Sequence, residues 1–360
     1  MTTLEETEAN HIQSENKPTS LKLKILAILA SVAGVAVFAY YIYSVGPMIV
    51  LEGVSGIGLG GFAIIVGIYA LKLLVRAVAW KLSVYEPYEI GVRDTFAAVV
   101  IGEAASSVIP MGVLISGTAK AIAVRKRVPL VVGLASVATE NLFYSLVTGL
   151  FIIFGAALFL RRYGLEAPFD LFLDGFIILV ILGLSIGALM VIRQWHWASE
   201  IADRLYSHGY FPRILRNGRL HVRMFENLIY GFYRAHPKRF VPLCLLQIAF
   251  HACGIAEVWF VLVRIGERMP SLIAPFYLES MSRLVTVVFK LVPFLIGVDE
   301  AGAEFVVEAL GLAAGVGVTL AIIRKGRVIF WALIGLILIV KRGLTLTHVR
   351  EISGRELELQ

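Results

Sequence analysis

The sequence predicts an all-α polytopic membrane protein, with about six full spans and two re-entrant helical pairs arranged as an inverted repeat; a conventional count gives roughly 8–9 hydrophobic segments. Three observations carry that prediction. Hydrophobic residues make up 58% of the 360 residues and charged residues only 16%, with a mean hydropathy of +0.82, where a soluble globule carries about a quarter charged residues. Charge-free runs reach membrane length: Ile25–Tyr43 has 19 residues, Val54–Leu71 has 18 and Gly175–Ile192 has 18, against the ~20 that a bilayer crossing needs. The charge that remains, a formal +7, is concentrated between runs rather than spread over them.

From the N-terminus, residues 1–20 are polar, with Glu5, Glu6, Glu8 and Glu15, and are expected to form a disordered tail. The first apolar run follows Lys17, Lys22 and Lys24 and is long enough to stay in the membrane. Residues 21–345 form one membrane domain, with repeat-like halves over about 54–192 and 240–345, and residues 346–360 form a second tail. Between the halves, the loop 193–239 holds nine Lys/Arg against Glu200, Asp203 and Glu226, interleaved with Trp195, Trp197, Tyr206, Tyr210, Phe211, Tyr230 and Tyr233. Basic and aromatic residues beside a span suit helices lying on an anionic leaflet, and equally a topology-setting cytoplasmic loop. Nucleic-acid binding is not expected of so apolar a chain. Because Lys and Arg collect on the cytoplasmic side, this loop and both termini are placed inside, as are Arg76, Lys81 and Arg93, while the connection Ser44–Gly53 goes outside. Arg161, Arg162, Arg264 and Arg268 fall on the outer side and run against that placement.

Two regions resist simple counting. Phe96–Pro110 is only 15 residues with Glu103 in its middle and basic residues at both flanks. At 1.5 Å per residue it reaches about 22 Å, short of a ~30 Å hydrocarbon core. A segment over 96–127 that enters and returns, turning at Pro110, Gly112 and Gly117, accounts for both facts; a conventional span is the alternative. A corresponding segment over 273–310 turns at Pro293, Gly297 and Gly302. After each turn comes a long apolar run, Val128–Leu160 around Glu140 and Gly311–Val340 around Arg324, Lys325 and Arg327. Reading the latter as one crossing puts three cations in mid-membrane; the alternative is a basic turn between two short helices. The spacing of Pro110, Val128, Glu140 and Gly149 parallels that of Pro293, Gly311, Arg324 and Gly335, and suggests the repeat.

These residues also resemble a known family. The stretch LVPFLIGVDEAG, then EALGL, then AIIRKGRVIFWALIGLIL is similar to the membrane domain of lysylphosphatidylglycerol synthases and to free-standing flippase-like proteins, with a layout closest to the branch found beside hopanoid-synthesis genes. Pro293, Gly297, Val298, Glu300, Gly311, Arg324 and Gly335 occupy the places of the family's Pro/Gly turn, its Gly-Val-x-Glu and its Arg-bearing helix. The first half departs more: in PMGVLISGTAK, Pro110, Gly117 and Lys120 fit, but Thr118 stands where the family has an acidic residue. The family's Glu-Arg pair is Glu140-Asn141 here, and its double Gly is Phe294-Leu295. The synthases join this domain to a soluble aminoacyltransferase domain, and only about 20 residues follow the last apolar run here. The resemblance therefore implies lipid handling in a bacterial inner membrane, translocation between leaflets, without lysine transfer.

Ionisable residues within the apolar regions are Glu103, Lys120, Glu140, His251, Glu257, Glu279, Arg283, Lys290, Asp299, Glu300, Glu304, Glu308, Arg324, Lys325 and Arg327. Buried charge is costly unless paired or wet, so such residues are functional or structural pairs. Arg324, Arg283 and Lys290, with Lys120, are expected to bind an anionic head group, because guanidinium donates to phosphate in bidentate fashion. Glu140 and Glu300 are expected to hold those cations, and glycines 112, 117, 297 and 302 to let backbone approach the ligand. His251 and Glu257, six residues apart, are expected as interior polar residues. No Gly-rich phosphate loop, HExxH pair or nucleophile motif is present, so no catalytic residue, cofactor or metal ion is assigned. Cys244 and Cys253 sit in one apolar run and read as core residues. The alternatives to a lipid translocator are a membrane subunit of a head-group-modifying enzyme and a scaffold for lipid-synthesis enzymes docked through the basic loop.

Overall fold

The computed structural model describes residues 42–108, 112–163, 193–208, 230–265, 271–289 and 295–341, with scattered positions in 39–40, 175–189 and 222–227. Pro110, Lys290 and Pro293 lie outside the described residues, as do both predicted tails and most of the first apolar run. The described elements are α1 (Pro47–Leu82), α2 (Val92–Val108), α3 (Gly112–Ala123), α4 (Leu130–Tyr163), α5 (Trp197–Ser207), a 3-10 turn (Pro237–Arg239), α6 (Phe240–Ile265), α7 (Ile273–Val288), α8 (Val298–Ala309) and α9 (Val316–Lys341). Among the described residues there is no strand.

Among the described residues, three helices are long and apolar enough to cross a membrane: Pro47–Leu82, Leu130–Tyr163 and the stretch Pro237–Ile265, with mean hydropathies of 2.1, 2.2 and 1.7 over their most apolar windows. Their outward faces are apolar, with Leu150, Phe154, Leu158, Leu245, Ile248 and Val263 exposed, while Lys72, Glu140, Gln247, Glu257 and Glu279 are buried. Apolar surface outside and charge inside is the arrangement lipid imposes, because a charged group in hydrocarbon must find a partner within the protein.

Helix α1 corrects two boundaries read from the sequence. Pro47 at its first position has the fixed φ that a helix start accepts, so Pro47–Gly53 is helical rather than a connection. At the other end the helix continues through Lys72 and Arg76 to Leu82, where Ser83 turns its hydroxyl back to the Ala79 carbonyl. The helix breaks once, at Gly58, whose φ of 62° suits only glycine without strain. Arg264 from α6 donates to the Ile57 carbonyl beside that break, replacing a backbone partner the kink removes.

The helix order repeats. Long α1, short α2 and α3 and long α4 (36, 17, 12 and 34 residues) are followed by long α6, short α7 and α8 and long α9 (26, 16, 12 and 26 residues). Contacts follow the same exchange. Within each half, neighbours pack in order: α1 on α2, α2 on α3 and α3 on α4, as α6 on α7, α7 on α8 and α8 on α9. Between halves, α1 packs on α6, α2 on α9 as α7 on α4, and α1 on α9 as α6 on α4. The described contacts thus map onto themselves when the halves are swapped.

Glycine sets the closest approaches, as small residues do between membrane helices. A Cβ at Gly155 of α4 would stand 2.2 Å from the Ser280 hydroxyl of α7. One at Gly335 of α9 would stand 2.6 Å from the Val100 carbonyl of α2. These are the two equivalent cross-half contacts. Helix α9 itself is one continuous helix through Arg324, Lys325 and Arg327, so the alternative of a basic turn there does not hold. Its first turn is capped from α8 by Glu304, whose carboxylate accepts from the Gly315 and Val318 amides at 2.7 and 3.2 Å.

Replacing Gly155 with Val is expected to force α4 off α7, an overpacking cost of ~1–3 kcal/mol, read as a lower Tm of the detergent-purified protein. Gly67→Ala in α1, where an added Cβ meets nothing within 4 Å, is expected to leave Tm unchanged or raise it, since alanine favours helix by up to ~1 kcal/mol.

Candidate functional site

Helix α1 carries Tyr69, Lys72 and Arg76 on one face, three and four residues apart, aimed at the seam between the halves. Lys72 reaches Glu279 of α7 at 3.2 Å, with both side chains buried. Gly254 of α6 makes room for that pair: a Cβ there would lie 2.2 Å from Glu279 Oε1 and 2.9 Å from Lys72 Nζ. Glu279 is shared further. Arg283, one turn along α7, donates to its Oε1 through Nε at 3.0 Å and Nη2 at 2.7 Å, and Arg324 of α9 donates to Oε2. The other guanidinium nitrogen of Arg324 donates to Ser282 at 2.7 Å, and Ser282 in turn donates to Asp299 at 3.1 Å. One carboxylate thus holds three cations from three helices.

The first half repeats the theme around Glu140 of α4. Arg76 donates to it through Nε at 3.2 Å and Nη2 at 3.3 Å, and Nη2 also donates to Asn141 at 3.2 Å. Lys120 of α3 approaches the same carboxylate at 3.8 Å, in space left by Gly102, where a Cβ would press on the Lys120 stem at 2.7 Å. Further links line the seam, and one of them, Arg327 on Tyr69, crosses it. Tyr69 donates to Glu103 of α2, and Arg327 of α9 lies over the Tyr69 ring at 4.0 Å and pairs with Glu257 of α6. His251 and Glu257 are indeed interior: His251 meets Thr148 of α4 at 3.0 Å and stacks on Phe151 at 4.4 Å between centroids.

The sequence-predicted residues divide accordingly. Arg283, Arg324, Glu140 and Lys120 enter this cluster, in two groups, around Glu279 and Glu140. The expected pairing differs from the observed one: Glu279, rather than Glu140 or Glu300, neutralises Arg283 and Arg324. Glu300 instead pairs with Lys325 and accepts from the Gly297 amide at 2.8 Å, closing the first turn of α8. Gly297 has a φ of 82°, which glycine alone adopts freely. Gly112 opens α3; a Cβ at Gly117 would meet Val137 at 3.4 Å and one at Gly302 would meet Val285 at 2.7 Å, both helix-packing contacts.

Sequence reasoning missed Lys72, which it passed over, and Arg76, which it assigned to a flank, because the charge-free run ends at Leu71. The signal was available: Leu73–Val75 and Ala77–Trp80 stay apolar, so two cations at i and i+4 mark one polar face of a continuing helix. It also passed over Tyr144 and Phe250. Arg76 lies over the Tyr144 ring at 4.8 Å, and Lys72, Arg283 and Arg76 stand around the Phe250 ring at 4.7, 5.7 and 6.0 Å. Nothing in the sequence distinguishes these aromatics from other core residues.

Six cations (Lys72, Arg76, Lys120, Arg283, Arg324, Arg327) face five carboxylates (Glu103, Glu140, Glu257, Glu279 and, through Ser282, Asp299) in this cluster, an excess of one. Three of the cations come from each half. No group of three or more His, Cys, Asp or Glu suited to a metal occurs among the described residues.

Apolar helices of membrane length enclosing a cation-rich polar seam define an integral membrane protein of the polytopic helical class. The chain belongs to the family of the lysylphosphatidylglycerol synthase transmembrane region, whose model matches residues 25–336. Comparison with curated proteins and with solved structures finds no match.

Glu279→Gln is expected to abolish recovery of monodisperse protein, since removing one partner of a buried ion pair costs ~3–5 kcal/mol and here strands three cations. Adding Lys72→Met to it is expected to restore part of the yield on size-exclusion chromatography. A double variant no better than the single one would mean that Lys72 is not neutralised by Glu279.

Proposed function

We propose that this protein binds an anionic or amphipathic lipid and translocates its head group between leaflets of a bacterial inner membrane, with both termini and the loop 193–239 on the cytoplasmic side. The observation that carries this reading is the net positive seam between the two halves. Buried charge clusters that serve only stability approach neutrality, because an uncompensated cation in a low dielectric is costly. A standing excess of positive charge calls for an anion, and the family's lipid context supplies a candidate in a phosphate-bearing head group.

The helix lengths support the transport part. At 1.5 Å per residue α2, α3, α7 and α8 reach about 18–26 Å, too short for a ~30 Å core. In this reading each short pair enters and leaves on one side, the pairs do so from opposite sides, and the exchange-symmetric halves rock about the seam as inverted repeats do.

The loop contributes an anchor. Trp197, Ile201 and Leu205 of α5 are exposed at 44%, 54% and 40% and lie one turn apart on a single stripe. Trp195 stacks on Trp197 at 4.7 Å, and Arg193, Arg204 and Arg223 stand nearby in the chain. An apolar stripe flanked by cations suits a helix lying in an anionic leaflet.

Native mass spectrometry of the purified protein is expected to show one anionic lipid class enriched over the membrane extract, and Arg324→Ala, if still monodisperse and with unchanged Tm, to lose it. A bound population matching the extract would count against lipid selection. In proteoliposomes, brominated lipid is expected to quench tryptophan emission, and Trp195→Phe with Trp197→Phe to remove the interfacial share of that quenching.

A further inference from the structure

We infer that Arg76 and Arg283 are the two arms of a single phosphate clamp, one contributed by each half, closed over the faces of Phe250 and Tyr144. The inference deepens the lipid-binding reading above, since it names the ligand's contacting group and adds a residue, Arg76, that the sequence assigned to a flank.

Four observations converge. First, these two differ in exposure from the cations around them: the side chains of Arg76 and Arg283 are 16% and 19% exposed, whereas those of Lys72, Lys120 and Arg327 are 1%, 3% and 6% exposed. Arg324, at 9%, spends both terminal nitrogens on Ser282 and Glu279. Second, the two make the same use of their planar groups. Each turns its Nε and Nη2 edge to its own half's carboxylate, Arg76 to Glu140 and Arg283 to Glu279. Among the described residues the Nη1 corner of neither makes a hydrogen bond in these networks. Third, they stand around one ring: both guanidinium carbons lie within 6.0 Å of the Phe250 centroid. Fourth, the Tyr144 ring lies beneath Arg76, 4.8 Å from its guanidinium carbon, and packs edge-on against Phe250 at 5.5 Å between centroids.

A guanidinium held on one edge by a carboxylate keeps an outward N–H corner for a second acceptor. Two such corners, both beside the Phe250 ring, offer the donors and surplus charge to match a tetrahedral phosphate. A planar carboxylate would satisfy one arginine fork, whereas a phosphate presents oxygens to both sides. Because the arms belong to different halves, an occupied clamp ties the halves across the seam, and its release is what frees them to move. Glu140 and Glu279 then act as positioning residues: they orient the arms and keep them charged without touching the ligand.

The test uses the full-length protein in detergent, with phosphatidylglycerol as probe, read by native mass spectrometry beside diacylglycerol, which has the same chains and no phosphate. Arg76→Lys and Arg283→Lys keep the charge that Glu140 and Glu279 need but lose the fork. Each is expected to lower phosphatidylglycerol retention about tenfold, equivalent to ~1.4 kcal/mol, with diacylglycerol retention and Tm unchanged. Retention in both variants equal to wild type would overturn the clamp while leaving lipid binding intact. Loss confined to one variant would overturn the shared site, since both arms hold one phosphate. Should the wild type retain neither lipid, the lipid reading fails and inorganic phosphate decides the clamp. A rise in Tm with phosphate, absent in both variants, would keep it as a free-phosphate site, and no rise would overturn it.

Discussion

Glu279 is the group on which the rest of this structure depends. A carboxylate at zero exposure in a chain of lipid-facing helices is untenable alone, and so are Lys72, Arg283 and Arg324 around it. Held together they are stable, because each cation's loss of water is offset by the same nearby anion. The consequence is architectural. Lys72 belongs to α1, Arg283 to α7 and Arg324 to α9, so the two halves cannot separate at this level without stranding charge. Gly254 is the steric condition for it, since any side chain there would occupy the space of Glu279 itself.

Each half brings a long helix, two short ones and a second long helix, and each places one carboxylate hub among cations, two around Glu140 and three around Glu279. Glu140 serves α1 and α3 as Glu279 serves α1, α7 and α9. The residues doing equivalent work are not at equivalent sequence positions, however. Lys120 on α3 meets Glu140 on α4, while Glu300 on α8 meets Lys325 on α9, with the charges reversed. What the repeat conserves is helix order and contact, and the chemistry has been distributed over it differently.

Much of the fold is legible because hydrophobic length is a local quantity. The runs around Val54–Leu71 and Val128–Leu160 are helical, and so is the interrupted run that holds Arg324, since three cations cost less within a continuous helix with partners than a turn of unsatisfied backbone in hydrocarbon. The failures are equally physical. Counting charge-free residues ended a helix at Leu71, because a window cannot know that Lys72 has Glu279 waiting more than two hundred residues away. The same blindness paired Glu140 with Arg283 and Arg324, when Arg76 was the arginine within reach of Glu140 and Asn141.

By itself the sequence determined that the chain is an all-helical integral membrane protein with cations inside its apolar regions, and it carried the family's Gly-Val-x-Glu turn and Arg-bearing helix. Those properties depend on composition and short spacing, which survive without a third dimension. Only the tertiary structure decided which carboxylate holds which cation, that the halves exchange contacts symmetrically, and that Arg76, Arg283, Tyr144 and Phe250 share one place. Pairing between distant helices depends on crossing points set by glycines such as Gly155, Gly254 and Gly335, and no local pattern encodes where those crossings fall.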